Sequence, residues 1–177
     1  SVVYIRFQDD IFFDSDEYYL RQSAYPVLDV IGDAIHSVED EIYIISINGH
    51  TAQVDDPNYA VSDWMLSSER ASSVAIYFEE EKQIDPQKMR PMGYGKNYPI
   101  ASNDTPEGRQ KNRRVDIAIV KNSEGVVAGD MEQVLQSLFD PTSFPTTGGV
   151  SDLFTPEGSV SSSQTEPETA QSSGEGV

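Results

Sequence analysis

Short β-branched runs alternate with segments of helical period along the first two thirds of the chain, and that alternation restricts the fold most. Val2 to Phe7 reads as a strand, a compact β-branched and aromatic run. A polar loop follows, with Asp9, Asp10, Asp14, Ser15 and Asp16 around Phe12 and Phe13. Apolar residues then recur at helical spacing (Val27, Val30, Ile31, Ala34, Ile35), so a helix is predicted from Tyr25 to Ser37, with Pro26 in its first turn. Glu41 to Asn48 (EIYIISIN) is apolar on both sides, as a central strand requires.

After a long loop from His50 to Met65, Ser67 is the expected N-cap of a second helix, Ser68 to Glu81, buried through Ala71, Val74, Ala75 and Phe78. Asp85-Pro86 punctuates, and Met89 to Gly95 is a further strand. Thr105-Pro106 opens a short helical turn, and Val115 to Val120 (VDIAIV) alternates as the last strand. The order β-α-β-α-β-(α)-β predicts a two-layer α/β sandwich with helices on one face of the sheet. The sheet should be mixed, because the short links near its end suit an antiparallel pair. Residues 1–120 form the expected domain. Residues 121–140 form a linker in which Met131 to Phe139 has the pattern of a short amphipathic helix. From Pro141 the chain is Ser-, Thr-, Gly- and Pro-rich and acidic, too poor in apolar residues to offset its ordering entropy, and is expected to be a disordered tail.

Composition narrows the function. Acids outnumber Lys and Arg 30 to 12, for a net charge of −18, which argues against nucleic acid as a partner. No apolar run approaches the roughly 18 residues of a membrane span, and no signal peptide is visible. The chain begins at Ser1 without an initiator Met and is expected to be a fragment or a processed product. There is no cysteine, so no disulfide framework and no thiol nucleophile. Adjacent acids (Asp9 and Asp10, Asp55 and Asp56, Glu79 to Glu81) are too frequent to mark a glycosidase pair. Neither His36 nor His50 belongs to a catalytic or metal-ligand pattern. An enzyme is therefore not expected, nor a metal or cofactor.

One window reverses the charge. Lys96, Arg109, Lys111, Arg113 and Arg114 face only Asp104 and Glu107, which suggests an anionic partner or an acidic neighbour in the fold. Arg113 and Arg114 precede a strand, so they should point to opposite faces, one inward and one toward a ligand; a structural ion pair with Asp63 or Asp104 is the competing reading. Arg70, with Ser67 as N-cap, is the third residue of the second helix. A cation there opposes the helix dipole, and together with free N–H groups it forms a receptor for a carboxylate. Pairing with Glu69, Asp55 or Asp56 is the alternative.

Two stretches carry a resemblance: "NGHT" at 48–51 with "SDWMLSSERA" at 62–71, and "PIASNDTPEGRQKNRRVDI" at 99–117. Over roughly residues 3–120 they resemble the OmpA-like family and, within it, the stator proteins of the flagellar motor of MotB type. The resemblance implies a peptidoglycan-binding domain in which an arginine at the position of Arg70, and an aspartate directly after the Gly-x-Thr strand end, hold diaminopimelate of the stem peptide. That aspartate is Ala52 here, Asp63 replaces the usual asparagine and Met65 the usual glutamate. Losing one charge-assisted hydrogen bond costs about 1.5–3 kcal/mol. Either Asp55 or Asp56 substitutes, or the wall presents a different stem residue, or binding has been lost and the domain serves dimerisation or protein contacts in the envelope. Thr51, Arg70, Asp55, Asp56, Asp63, Arg113 and Arg114 are thus the candidate peptidoglycan contacts. The resemblance further implies a homodimer, MotA-like membrane subunits reached through an absent N-terminal segment, and a location outside the plasma membrane.

Overall fold

Four strands form one sheet in the order β1-β4-β2-β3, with β1 Val2–Gln8, β2 Ile42–His50, β3 Met89–Gly93 and β4 Arg114–Lys121. The computed structural model describes residues 2–121; the expected linker helix and acidic tail lie outside the described residues. Among the described residues three α-helices complete it: α1 Ala24–Ser37, α2 Asp63–Glu80 and the short α3 Pro106–Asn112. The expected sandwich and mixed sheet are observed, but the expected reason for the mixture is not. Among the described residues β3 pairs with β2 alone, in parallel, while β4 inserts between β1 and β2 and runs antiparallel to both. The last strand can occupy the centre because both its faces are buried along nearly its whole length, apolar toward the helices and, on the other side, with its charged pair Arg114 and Asp116 satisfied by each other and by Arg6.

Alternation along the strands sorts two faces. Ile5, Phe7, Ile45, Ile47, Val115, Ile117 and Ile119 point to the helices, where Leu28, Ile31 and Ile35 of α1 meet Val74 and Phe78 of α2. Phe12 and Phe13 fill the same core from the loop after β1, which fixes that loop against the domain. The opposite face carries Asp116, fully buried, which accepts from Arg6 Nε at 2.8 Å and from Arg114 Nε at 2.9 Å.

Two details bring α2 close to the sheet. Gly49 and Gly93 are register partners at the ends of β2 and β3. A Cβ on Gly49 would lie 2.1 Å from the Ser67 carbonyl oxygen, and one on Gly93 would lie 2.2 Å from Ser68 Oγ. Glycine here provides a close approach between backbones. The helix also begins earlier than the sequence suggests. Ser62, not Ser67, is the N-cap, accepting from the Met65 amide. Ser67 is buried in the second turn, donates to the Trp64 carbonyl and accepts from the Gly95 amide at 3.0 Å. Both serines suit a cap, and packing against the glycine pair decides between them.

Candidate functional site

The earlier start of α2 moves Arg70 away from the helix mouth, so the expected receptor of helix N–H groups and guanidinium does not exist. Arg70 sits two turns inside the helix and is only 3% exposed. Its guanidinium lies over the Phe13 ring, 5.0 Å from the centroid. Nε donates to the Glu17 carbonyl at 2.8 Å and Nη2 to the Asp14 carbonyl at 3.0 Å. Nη1 donates to Asp9 Oδ2 at 2.5 Å. The partner is thus Asp9, and none of Glu69, Asp55 or Asp56. One turn along the same helix face, Ser73 Oγ donates to the Tyr18 carbonyl at 2.6 Å. Together Arg70 and Ser73 pin the backbone from 14 to 18 onto α2.

This pinned run walls a cleft of about 400 Å³, whose other walls include Asp9, Thr51, Ala52, Tyr59, Leu66 and Arg113. Sheet order creates the juxtaposition. β1 ends where β4 begins, and the Asp9 amide donates to the Arg113 carbonyl at 3.1 Å. Arg113 Nε stands 3.9 Å from Asp9 Oδ1, and its side chain is 39% exposed. Burial pushes the Asp9 carboxyl above its ordinary range, against the pull of Arg70 and Arg113. Tyr59, which donates to Asp16 Oδ1, is likewise pushed up, by burial and then by that carboxylate.

Of the expected contacts, the structure brings Thr51, Arg70 and Arg113 together in the cleft. Asp63 is joined to it indirectly: Thr51 Oγ1 donates to Asp63 Oδ1 at 2.8 Å, and Lys96 Nζ lies 3.6 Å from the other oxygen. Asp55 and Asp56 do not reach the cleft. They are exposed, Asp55 accepting from Gln53 Nε2 and Asp56 from the Asn58 amide. Arg114 points to the far side of the sheet and is buried against Asp116, so the two arginines do part as their alternation requires; the acids they meet are Asp9 and Asp116, neither Asp63 nor Asp104. His50 is buried and stacked on Tyr94, with centroids 5.0 Å apart. Burial, then the Arg114 charge, lowers its pKa to about 3.

The long basic motif is mostly scaffolding. Asn112, fully buried, accepts from the Ile100 and Ala101 amides at 2.7 and 2.9 Å and donates to the Ala101 carbonyl and Asn103 Oδ1. Thr105 caps α3 through the Gly108 amide, and Arg109 donates to the Asn103 carbonyl. Sequence reasoning overlooked Asp9, whose signal was diluted by acids throughout the neighbouring loop.

Comparison with known proteins agrees with this architecture. The sequence pattern of the OmpA family matches residues 12–113. The chain belongs to the OmpA family. It is 40% identical over 114 residues to Outer membrane protein A of Bordetella avium, covering 64% of this chain and 56% of that one. It is 36% identical over 117 residues to Motility protein B of Bacillus subtilis, covering 66% of this chain and 44% of that one. The structure of the cell wall anchor of the T6SS from Pseudomonas aeruginosa superposes with a TM-score of 0.59 at 25% identity, over 68% of this chain and 82% of that one. The chain spans about half the length of these curated relatives.

Proposed function

We propose that this OmpA-family domain is a non-catalytic anchor that grips peptidoglycan, binding a stem peptide in the cleft between the 9–17 loop, Thr51 and Arg113. The observation that carries the reading is a half-exposed guanidinium, Arg113, at the edge of a polar cleft whose other cation, Arg70, is already consumed by the fold. A guanidinium left partly open to solvent can exchange water for a ligand carboxylate at little cost. The structural neighbour from the secretion system is by its title a cell wall anchor, which supports the reading.

The parent protein, in this reading, is a flagellar stator subunit of MotB type. The block at 99–117 and the identity with Motility protein B support it. The domain would stand outside the plasma membrane as a homodimer, carried by MotA-like membrane subunits through a preceding segment. Its task is mechanical: to hold the stator still against the torque it generates. Ala52 favours one competing reading, a domain that has lost wall binding and serves dimerisation or protein contacts in the envelope, since Ala52 brings only a methyl to the cleft wall.

Co-sedimentation with purified sacculi separates the two. The intact domain should enter the pellet, and Arg113→Gln should reduce the bound fraction about tenfold, the value of one charge-assisted contact, without lowering the melting temperature. An intact domain that stays in the supernatant refutes the anchor.

A further inference from the structure

Tyrosines gather in a second groove, which shares no lining residue with the cleft. Tyr18, Tyr19, Tyr25 and Tyr77 enclose about 620 Å³ between the 18–20 segment, the first turn of α1 and the second half of α2. Four of the nine tyrosines in the chain stand here, and Ile76 beside them is 50% exposed. On a chain otherwise covered with charge, such a concave apolar surface marks a place where something docks. Tyrosine is also among the residues enriched at protein contacts.

The rings are fixed before anything binds. Tyr18 and Tyr19 pack with centroids 4.4 Å apart and share a hydrogen bond between their hydroxyls. Tyr25 lies 5.5 Å from Tyr77, whose hydroxyl donates to Asp29 at 2.8 Å. Ser73 holds the Tyr18 carbonyl on α2. Docking here therefore orders few side chains, and that ordering is a main cost of association. Within each pair the two rings use a face on each other, at 33°, which reduces the flat surface open to sugar stacking and favours a peptide.

Charge selects which peptide. Glu80 and Glu81 line the groove at the end of α2, where no basic residue occupies the last turn and the helix dipole is itself negative. The nearest cations in sequence are engaged elsewhere: Arg21 with Asp14 and the Asp10 carbonyl, Lys82 with Asp29 and Asp33. A second copy of a chain with a net charge of −18 is repelled from such a groove. So is the segment after Val120, where Lys121 stands against nine acids. We propose that the groove is a docking site for a basic segment of a partner protein, seating an apolar side chain against Ile76 and the tyrosines and its flanking arginine or lysine on Glu80 and Glu81. The site is separate from the wall-binding cleft and does not depend on that reading.

The probe is a decapeptide of alternating leucine and arginine, titrated into the ¹⁵N-labelled domain. Its leucine–glutamate counterpart and an N-acetylglucosamine tetramer serve as comparisons. Shifts should gather at Tyr18, Tyr19, Tyr25, Ile76 and Tyr77 with the basic peptide and with neither of the others. Tyr19→Ser combined with Ile76→Ser should weaken the peptide about tenfold or more, the scale of an anchoring contact. Glu80→Gln with Glu81→Gln should weaken it about three- to tenfold. Asp55→Asn with Asp56→Asn removes the same charge from another exposed site and should leave the affinity within about twofold. All six positions are exposed, so each variant should melt close to the intact domain. Equal losses in the two acid pairs, shifts spread over the whole acidic surface, or no binding overturn the proposal. Occupation of the groove by the acidic peptide or the sugar overturns it as well. Sedimentation with sacculi should be indifferent to every one of these variants, so failure here leaves the wall-binding reading untouched.

Discussion

Arg70 works first as a structural residue. It ties two carbonyls of the 14–17 backbone and the Asp9 carboxylate to α2. Arg70→Ala should therefore cost about 3–5 kcal/mol, because it leaves Asp9 buried without its partner. Arg70→Lys should recover little, since a point ammonium cannot reproduce a planar fork; urea denaturation measures both. Loss of sedimentation by Arg70→Ala would consequently reflect the collapse of a cleft wall, and Arg113→Gln is the cleaner probe. His50 gives a second residue-scale expectation. Its pKa is about 3 in the fold against an ordinary 6.5, so the unfolded chain binds the extra proton first as the solution is acidified. Its contribution is complete above pH 6.5 and is lost progressively from there down to about 3, a matter of a few kcal/mol. His50→Gln should flatten the stability profile across that window. Arg70 was singled out in the sequence for a position at the helix mouth that the earlier start of α2 removes, so the residue was legible but its setting was not. Nor was its partner, since Asp9 reaches it only after two strands at opposite ends of the domain pair.

At the level of elements, the approach of α2 to the sheet controls the site, because α2 carries both Arg70 and Ser73. Gly49→Ala should destabilise by about 1–3 kcal/mol, the usual cost of overpacking, since the new methyl meets the Ser67 carbonyl and rigid backbone lies on both sides. Asn112→Ala should cost a comparable amount by leaving the Ile100 and Ala101 amides without their acceptor, each unsatisfied group being worth about 1–3 kcal/mol. Thermal melts check each. Among the described residues the periodicities located each strand and α-helix to within a few residues, apart from the start of α2. There Asp63, Trp64 and Met65 carry exposed side chains or side chains tied to neighbouring loops, so they leave no apolar stripe to read. Strand order was also hidden. The short path from β3 to β4 suggested that these two pair, whereas α3 and the 100–103 loop, organised by Asn112, carry the chain back to the sheet centre.

For the whole molecule, a net charge of −18 works against any general adsorption to an anionic wall, so retention there has to come from a local site. The cleft offers one, with a cation at its edge and a buried carboxylate beside it. Because Arg113 is partly solvated, its share of the affinity should decline as salt rises, whereas contacts deep in the cleft should change less. The most direct measurement is a titration of the ¹⁵N-labelled domain with soluble muropeptides, followed by chemical-shift changes. The account predicts shifts concentrated at Asp9, Thr51, Ala52, Tyr59 and Arg113, including the Arg113 Nε–H resonance. A spectrum that does not move, or one that moves only in the groove lined by Tyr18, Tyr19 and Tyr77, would contradict it.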